Sequence, residues 1–157
     1  MKRKTIVTPL GPLIAIADEQ KLYSLDFPDR KAVQNSEIEE GDNLILNLIE
    51  KELSLYFAGH LKKFETPIEL QGTDFQKSVC ETLLTIKFGQ TTTYFEQARS
   101  MGKQKAIRAI ASANGRNQIA IVIPCHRVIG SNGKLVGYSG GVDKKEWLLN
   151  HERNCLK

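Results

Sequence analysis

The segment TYFEQARSMGKQKAIRAIASANG, from Thr93 to Gly115, decides the fold class of the second half of this chain. Thr93 is a favourable N-cap for a short helix over residues 94–100, and Met101-Gly102 is a typical helix end. A second helix is predicted over residues 104–114, with a glycine directly after it. Two helices joined by a short glycine-containing turn predict a helix-turn-helix.

The second of these helices is rich in alanine around one arginine, Arg108. Small side chains allow a helix backbone to approach another surface closely. That surface is either a neighbouring helix or an external partner, and the composition by itself favours the neighbouring helix.

An apolar, β-prone run, QIAIVIP at residues 118–124, follows this motif and has to be buried. It leads directly into Cys125 and His126. Burial normally makes a cysteine inert, because desolvation disfavours the thiolate. His126 is a potential base, and Asn117 or Glu152 could orient groups beside it, as in other activated nucleophiles. Since neighbours in sequence need not face each other, a purely structural cysteine remains an alternative.

The flanking segments complete the second part of the chain. Residues 130–141 contain five glycines and predict a loop, and Asp143 is predicted to cap a last helix that runs to residue 152. The first part is different. Residues 5–27 predict a small antiparallel sheet, and residues 43–57 predict a helix with Leu44 on its apolar face.

We therefore predict an α/β N-terminal part over residues 1–70, with a small antiparallel sheet and a helix. A mainly helical C-terminal domain with the helix-turn-helix follows over residues 71–157. The charge differs between the two regions. Residues 1–90 carry 11 basic and 14 acidic side chains, whereas residues 91–157 carry 11 basic and only 4 acidic ones. A polyanion such as nucleic acid would bind the basic region.

Cysteine usage and hydropathy restrict the class further. Cys80, Cys125 and Cys155 are an odd number without C-x-x-C spacing, which favours reduced thiols over disulfides or a zinc site. No signal-peptide pattern and no apolar run of membrane-spanning length occurs, so we expect a cytoplasmic protein without a membrane partner.

Several motifs in order resemble one family, the O6-alkylguanine-DNA alkyltransferases. The strongest is PCHRV at residues 124–128, with GYSGG at 137–141 downstream. Similar stretches lie along nearly the whole chain: TPLGP at 8–12, YFAG at 56–59, GTDFQ at 72–76 and KEWLL at 145–149.

The resemblance implies a catalytic set. Cys125 matches the alkyl acceptor, and His126 matches the base that reaches the acceptor's proton through a water molecule. Glu152 matches the carboxylate that holds the imidazole, and Asn117 matches the residue that braces the active-site turn. The reaction implied is irreversible, takes place once per molecule and needs no cofactor.

The resemblance also implies how duplex DNA carrying O6-alkylguanine, or O4-alkylthymine, is bound. Arg108 matches the side chain that enters the base stack after the nucleotide has flipped out. Tyr94 matches the residue that promotes rotation of the 3′ phosphate. The remaining predicted contacts are with the flipped base, by Val128, Tyr138 and Ser139, and with the minor groove, by Ala106, Ala109 and Ser112.

Two further expectations concern metal binding and the oligomeric state. Residues 1–79 contain no cysteine and only His60, so we expect no metal site, although some members of this family bind zinc there. We expect a monomer.

The competing functions are lesion binding without transfer, cysteine hydrolysis and transcriptional regulation. Cys125 argues against the first, since the binding-only relatives carry tryptophan there. Transfer of an alkyl group to sulfur gives a thioether, which water does not cleave as it cleaves the thioester of a cysteine hydrolase, and this argues against the second. The predicted recognition helix has too few polar side chains to read bases, and this argues against the third.

Overall fold

The computed structural model describes residues 1–34, 37–138 and 140–157 and divides the chain into two compact units, Met1–Leu70 and Gln71–Lys157. The predicted fold class is confirmed, with a three-stranded antiparallel sheet and a helix followed by a helical unit. None of the helices in the described ranges is long and apolar enough to cross a bilayer.

The sheet of the first unit has the order β1–β2–β3, with β1 at Lys2–Thr8, β2 at Gly11–Ala17 and β3 at Leu22–Asp26. A two-residue turn joins β1 to β2, and Gly11 closes it at φ 94°. Helix α1, Leu44–Phe57, packs against β1 and β2. The Asn43 side chain caps α1 and also donates to the Ala17 carbonyl at 2.9 Å, which ties the helix start to the sheet.

The apolar face of α1 differs in part from the predicted one. Leu44 is 70% exposed, whereas Leu46 and Tyr56 are fully buried. The N-cap at Asn43 sets the rotation of the helix and thereby turns its first residue to solvent. The buried Glu52 carboxylate accepts hydrogen bonds from the backbone N–H groups of Glu65 and Thr66 at 2.8 Å, so α1 also anchors the segment that follows it.

The second unit contains the predicted helix-turn-helix. Helix α2, Asp74–Leu83, starts with a capping box between Thr73 and Gln76. A two-residue strand, β4 at Thr92–Thr93, leads into α3, Tyr94–Ser100, which Thr93 caps. A short 3-10 turn over Gln104–Ala106 then precedes α4, Ile107–Gly115, so the second helix starts later than predicted and includes the glycine.

The two helices of the motif are joined by an apolar cluster and by one polar pair. Val79 of α2, Ala98 of α3 and Ile110 of α4 are completely buried in the cluster. The side-chain amides of Gln97 and Asn114 exchange hydrogen bonds of 3.0 and 2.7 Å in the buried interface. Because both amides are satisfied, this pair fixes the relative position of α3 and α4.

The last two elements bring the chemical residues together. Strand β5, Val128–Ile129, pairs in parallel with β4 and so sets the residues after Cys125 beside the start of α3. Helix α5, Val142–Cys155, packs on the short 3-10 turn Cys125–Arg127. Asp143 does not cap this helix as predicted. Gly141 is its N-cap residue, at φ 99°, and Asp143 lies within the first turn.

Candidate active site

The apolar run before Cys125 is buried, as predicted, but it forms consecutive tight turns instead of a strand. Ile121 has φ 73° and is the one non-glycine residue with positive φ in the described part of the chain. Val122 N–H donates to the Ala120 carbonyl at 2.8 Å across it, which makes a γ-turn of the rare, strained kind. Pro124, at φ −83° and ψ 61°, centres an inverse γ-turn that ends at Cys125 N–H.

Asn117 braces this sequence of turns from inside. Its Oδ1 accepts from Ile119 N–H at 3.0 Å, and its Nδ2 donates to the Ile123 carbonyl at 2.7 Å. The same Nδ2 lies 3.3 Å from Cys125 Sγ. Asn117 is almost completely buried, so one side chain both closes the turns and donates a hydrogen bond to the sulfur.

A comparison of Ala and Gly at position 121 tests the backbone strain. Left-handed backbone strains an alanine but not a glycine, so Ile121→Gly should be more stable than Ile121→Ala by about 1 kcal/mol. Urea unfolding measures the difference. At Ile123, which is equally buried but has no positive φ, the order should reverse, with Gly less stable than Ala by roughly 0.5–1 kcal/mol. The same order at both positions would contradict a strained turn.

His126 and Arg127 converge on the Glu152 carboxylate from the turn that carries the cysteine. His126 Nε2 lies 2.7 Å from Oε2, while Arg127 donates from Nε to Oε1 at 2.8 Å and from Nη2 to Oε2 at 2.9 Å. All three side chains are buried. The carboxylate also accepts from Gly89 N–H at 3.2 Å. Four donors therefore saturate a single buried anion.

This network sets the protonation state of the site. Burial opposes ionisation of Glu152, but the hydrogen bonds and charges of His126 and Arg127 outweigh it and hold the carboxyl pKa far below its ordinary value. Burial lowers the pKa of His126 despite the carboxylate beside it. A carboxylate can only accept, so the neutral imidazole carries its proton on Nε2, and Nδ1 keeps a lone pair that can accept a proton.

The other side of the imidazole faces the glycine-rich loop. His126 Nδ1 is buried without a hydrogen-bond partner among the described residues. The Tyr138 ring meets the imidazole edge-on, with a centroid distance of 6.5 Å. Val128 is fully buried in β5. Ser139, which is expected to contact the flipped base together with Tyr138, lies outside the described residues.

Tyr94, the first residue of α3, lies next to this loop. Its hydroxyl donates to the Val136 carbonyl at 3.2 Å. Burial raises its pKa, and negative charge at Cys125 adds to that effect. The structure thus brings Tyr94 to the loop that carries Tyr138, whose ring meets His126.

The predicted DNA-contacting residues divide between two faces of the helix-turn-helix. Arg108, Ala109 and Ser112 are exposed on α4, whereas its opposite face is buried against α2 and α3. Ala106 is half-buried and packs against the apolar cluster. One face of α4 therefore packs on neighbouring helices, as the first interpretation of its small residues predicts, and the other face is open.

Sequence reasoning missed two buried cations at the site. The PCHRV motif contains Arg127 but indicates no role for it, yet Arg127 holds Glu152 and also donates to the Ile86 carbonyl at 2.7 Å. Lys145, on α5, is fully buried beside Tyr94. A basic residue in a charged helix gives no signal of burial. No group of three or more potential metal ligands occurs in residues 1–34, 37–138 and 140–157.

The chain is similar throughout to proteins of one family. The model of the ribonuclease-like domain of 6-O-methylguanine DNA methyltransferase matches residues 1–70, and the model of that protein's DNA binding domain matches residues 74–154.

Relatives and solved structures match over most of their own length. The methylated-DNA–protein-cysteine methyltransferase of Methanosarcina acetivorans is 44% identical, with 94% of this chain and 96% of the relative covered. The protein of the same name from Shigella flexneri is 45% identical, with coverage of 96% and 95%. The crystal structure of Mycobacterium tuberculosis OGT in complex with DNA superposes with a TM-score of 0.92 at 39% identity, covering 99% of this chain and 94% of that one.

Proposed function

The chain belongs to the 6-O-methylguanine DNA methyltransferase family, and we infer from this that it repairs DNA by moving an alkyl group onto one of its own cysteines, once per molecule. We assign DNA binding and transfer to residues 71–157 and a supporting role to residues 1–70. The substrate is O6-alkylguanine in duplex DNA, with O4-alkylthymine as a second lesion of the same chemistry, and the protein acts as a monomer.

One observation carries the assignment of Cys125 as the acceptor. Its sulfur accepts a hydrogen bond from Asn117 and lies on the same short turn as His126, whose imidazole is held by a saturated buried carboxylate. In the proposed reaction the Cys125 thiol loses its proton to His126 Nδ1 through a bridging water. The sulfur then attacks the alkyl carbon, forming a C–S bond as the C–O6 bond breaks.

The electron pair of the broken bond stays on the guanine, which therefore needs a proton. We assign this proton to the Tyr138 hydroxyl, whose ring meets His126 edge-on, and the phenolate then takes a proton back from the imidazolium. The net change is a thioether on the protein and an unmodified guanine in the DNA. Tyr138, Ser139 and the backbone around Val128 bind the flipped base, and Tyr94 promotes rotation of the 3′ phosphate.

Base flipping is required because sulfur cannot approach a stacked base in line with the C–O6 bond. The exposed face of α4 fits this step. Small side chains at Ala109 and Ser112 on this face, and at Ala106 in the turn just before it, let the helix enter a minor groove, and Arg108 fills the space that the base leaves.

Transfer of a labelled methyl group tests the function. Excess duplex DNA containing O6-methylguanine with a labelled methyl carbon should give one protein-bound label per molecule, and the reaction should then stop. The physical reason is that a thioether sulfur is a poor leaving group. Continued turnover, or release of the label as methanol, would contradict the proposal and indicate a hydrolase.

Arg108→Ala tests the flipping step separately. We expect the rate with O6-methylguanine in duplex DNA to fall at least tenfold, because unstacking costs a few kcal/mol that the inserted side chain offsets. The rate with free O6-benzylguanine should change little, since a free base needs no extrusion. Single-turnover kinetics on both substrates measure this, with Arg153→Ala on the exposed part of α5 as the control. Equal losses on both substrates would show that Arg108 does not act in flipping.

A further inference from the structure

Lys145 is a buried lysine that the reaction described above does not use. It lies in the first turns of α5 and has no exposed surface. Lysines are almost never fully buried without a partner, because removing an ammonium group from water is costly. Its position beside the site therefore needs a reason.

The contacts of Lys145 are with dipoles and not with a carboxylate. Nζ donates to the Val136 carbonyl at 2.9 Å and lies 5.7 Å from the centroid of the Tyr94 ring. The ion pairs found among the described residues of this unit join Glu96 to Arg99 and Glu152 to Arg127, and the neutral His126 is a further hydrogen-bond partner of Glu152. Lys145 belongs to none of these, so no carboxylate of the described residues lies within ion-pair distance of its ammonium group.

Cys125 is the group whose ionisation would supply that counter-charge. Helix α5 packs on the turn that carries Cys125. The Val136 carbonyl that binds Nζ also accepts from the Tyr94 hydroxyl, and Tyr138, two residues further along the same loop, meets His126 edge-on. Burial lowers the pKa of Lys145, and negative charge at Cys125 opposes that shift. A thiolate at Cys125 would therefore favour the charged form of Lys145.

The remaining groups around the sulfur leave Lys145 as the uncompensated charge. Arg127 is neutralised by Glu152, and His126 is neutral because burial lowers its pKa. Tyr94 on α3 is neutral as well, because its pKa is raised. Among these groups Lys145 therefore carries the net positive charge that could balance a thiolate at the buried Cys125.

We propose that Lys145 is the counter-ion of the Cys125 thiolate, held in place by the Val136 carbonyl and the face of the Tyr94 ring. It acts through its charge and takes no proton in the reaction. The inference rests on the proposed function in that Cys125 is the nucleophile. The alternative is a structural role, in which Lys145 only joins α5 to the loop at Val136.

Titration of the thiol separates the two roles without DNA. Thiolate absorbance is followed against pH in the wild type and in Lys145→Met. The same titration is made with Cys125→Ala added to each protein, and this absorbance, which comes from Cys80 and Cys155, is subtracted. Loss of the counter-ion should raise the Cys125 midpoint by about one to two pH units, since a nearby opposite charge shifts a pKa by that order. Methionine retains the length and apolar stem, and replacing a buried charge by an apolar residue is often tolerated.

Two further variants complete the test. Lys145→Arg should bring the Cys125 midpoint most of the way back to the wild-type value, because it keeps the charge. Lys51 is an exposed lysine on α1, and Lys51→Met should leave the midpoint unchanged. The single-turnover rate of Lys145→Met should be reduced roughly tenfold or more at pH 7 and should approach the wild-type rate at high pH. Circular dichroism and thermal unfolding establish that each variant is folded.

An unchanged midpoint in a folded Lys145→Met would overturn the counter-ion role, even if its stability or its rate fell. A raised midpoint would support it whether or not methyl transfer is observed, because the titration contains no DNA. Failure of the proposed function would instead appear as a wild-type protein that acquires no label.

Discussion

Cys125→Ala is expected to abolish alkyl transfer completely while leaving DNA affinity nearly unchanged. The sulfur is the only atom of this residue that takes part in the reaction, and the expected DNA contacts come from α4. After exposure to O6-methylguanine DNA, the intact mass of the wild type should rise by one methylene unit, the net of a methyl group gained and a proton lost. The variant should show no rise.

The other two cysteines are matched controls. Cys80 is half-buried in α2, where burial raises its thiol pKa, and Cys155 is at the end of α5. Neither is braced as Cys125 is by Asn117. Cys80→Ala and Cys155→Ala should therefore acquire one methyl group at the wild-type rate, and peptide mapping should place it on Cys125. Methylation of Cys125→Ala, or of a second cysteine in the wild type, would contradict the assignment.

Glu152→Gln is expected to lower both the rate and the stability. Loss of the carboxylate removes the group that holds the His126 tautomer, and general-base catalysis is typically worth about 10²–10⁴ in rate. It also leaves Arg127 buried without a counter-charge, which costs about 3–5 kcal/mol. Single-turnover kinetics and urea unfolding measure the two effects, with Glu146→Gln on the exposed face of α5 as the control.

A second substitution separates the two effects of Glu152. Adding Arg127→Met to Glu152→Gln removes the uncompensated charge and should recover part of the lost stability, because both partners of the buried pair are then neutral. The rate should stay low, since the imidazole still lacks its carboxylate. Recovery of rate together with stability would show that Glu152 acts only in folding.

The linear pattern of the chain predicts the elements whose signals are local. Thr93 caps α3 as expected, because a side-chain cap depends on residues within one helical turn. The final helix shows the limit of this reasoning. Asp143 is an equally good capping residue, but the chain enters α5 through a glycine at positive φ, which displaces the start by two residues.

The apolar run before Cys125 shows where residue preferences mislead. Isoleucine and valine favour strands, yet this segment folds into γ-turns with Ile121 left-handed. Local preference is overcome because the Asn117 side chain makes three hydrogen bonds to this part of the chain. It accepts from Ile119 N–H and donates to the Ile123 carbonyl and to Cys125 Sγ. No pattern in the run itself contains that information.

The sequence by itself determined that this is an alkyltransferase of its family, because that identity depends on which residues occur and in what order. It also determined the fold class and which cysteine has a histidine beside it. Only the tertiary structure decided that Glu152 reaches both His126 and Arg127 and that Lys145 is buried over Tyr94. These contacts join residues up to about 50 positions apart, and their formation depends on how α5 packs on the active-site turn, a free-energy balance that no short pattern records.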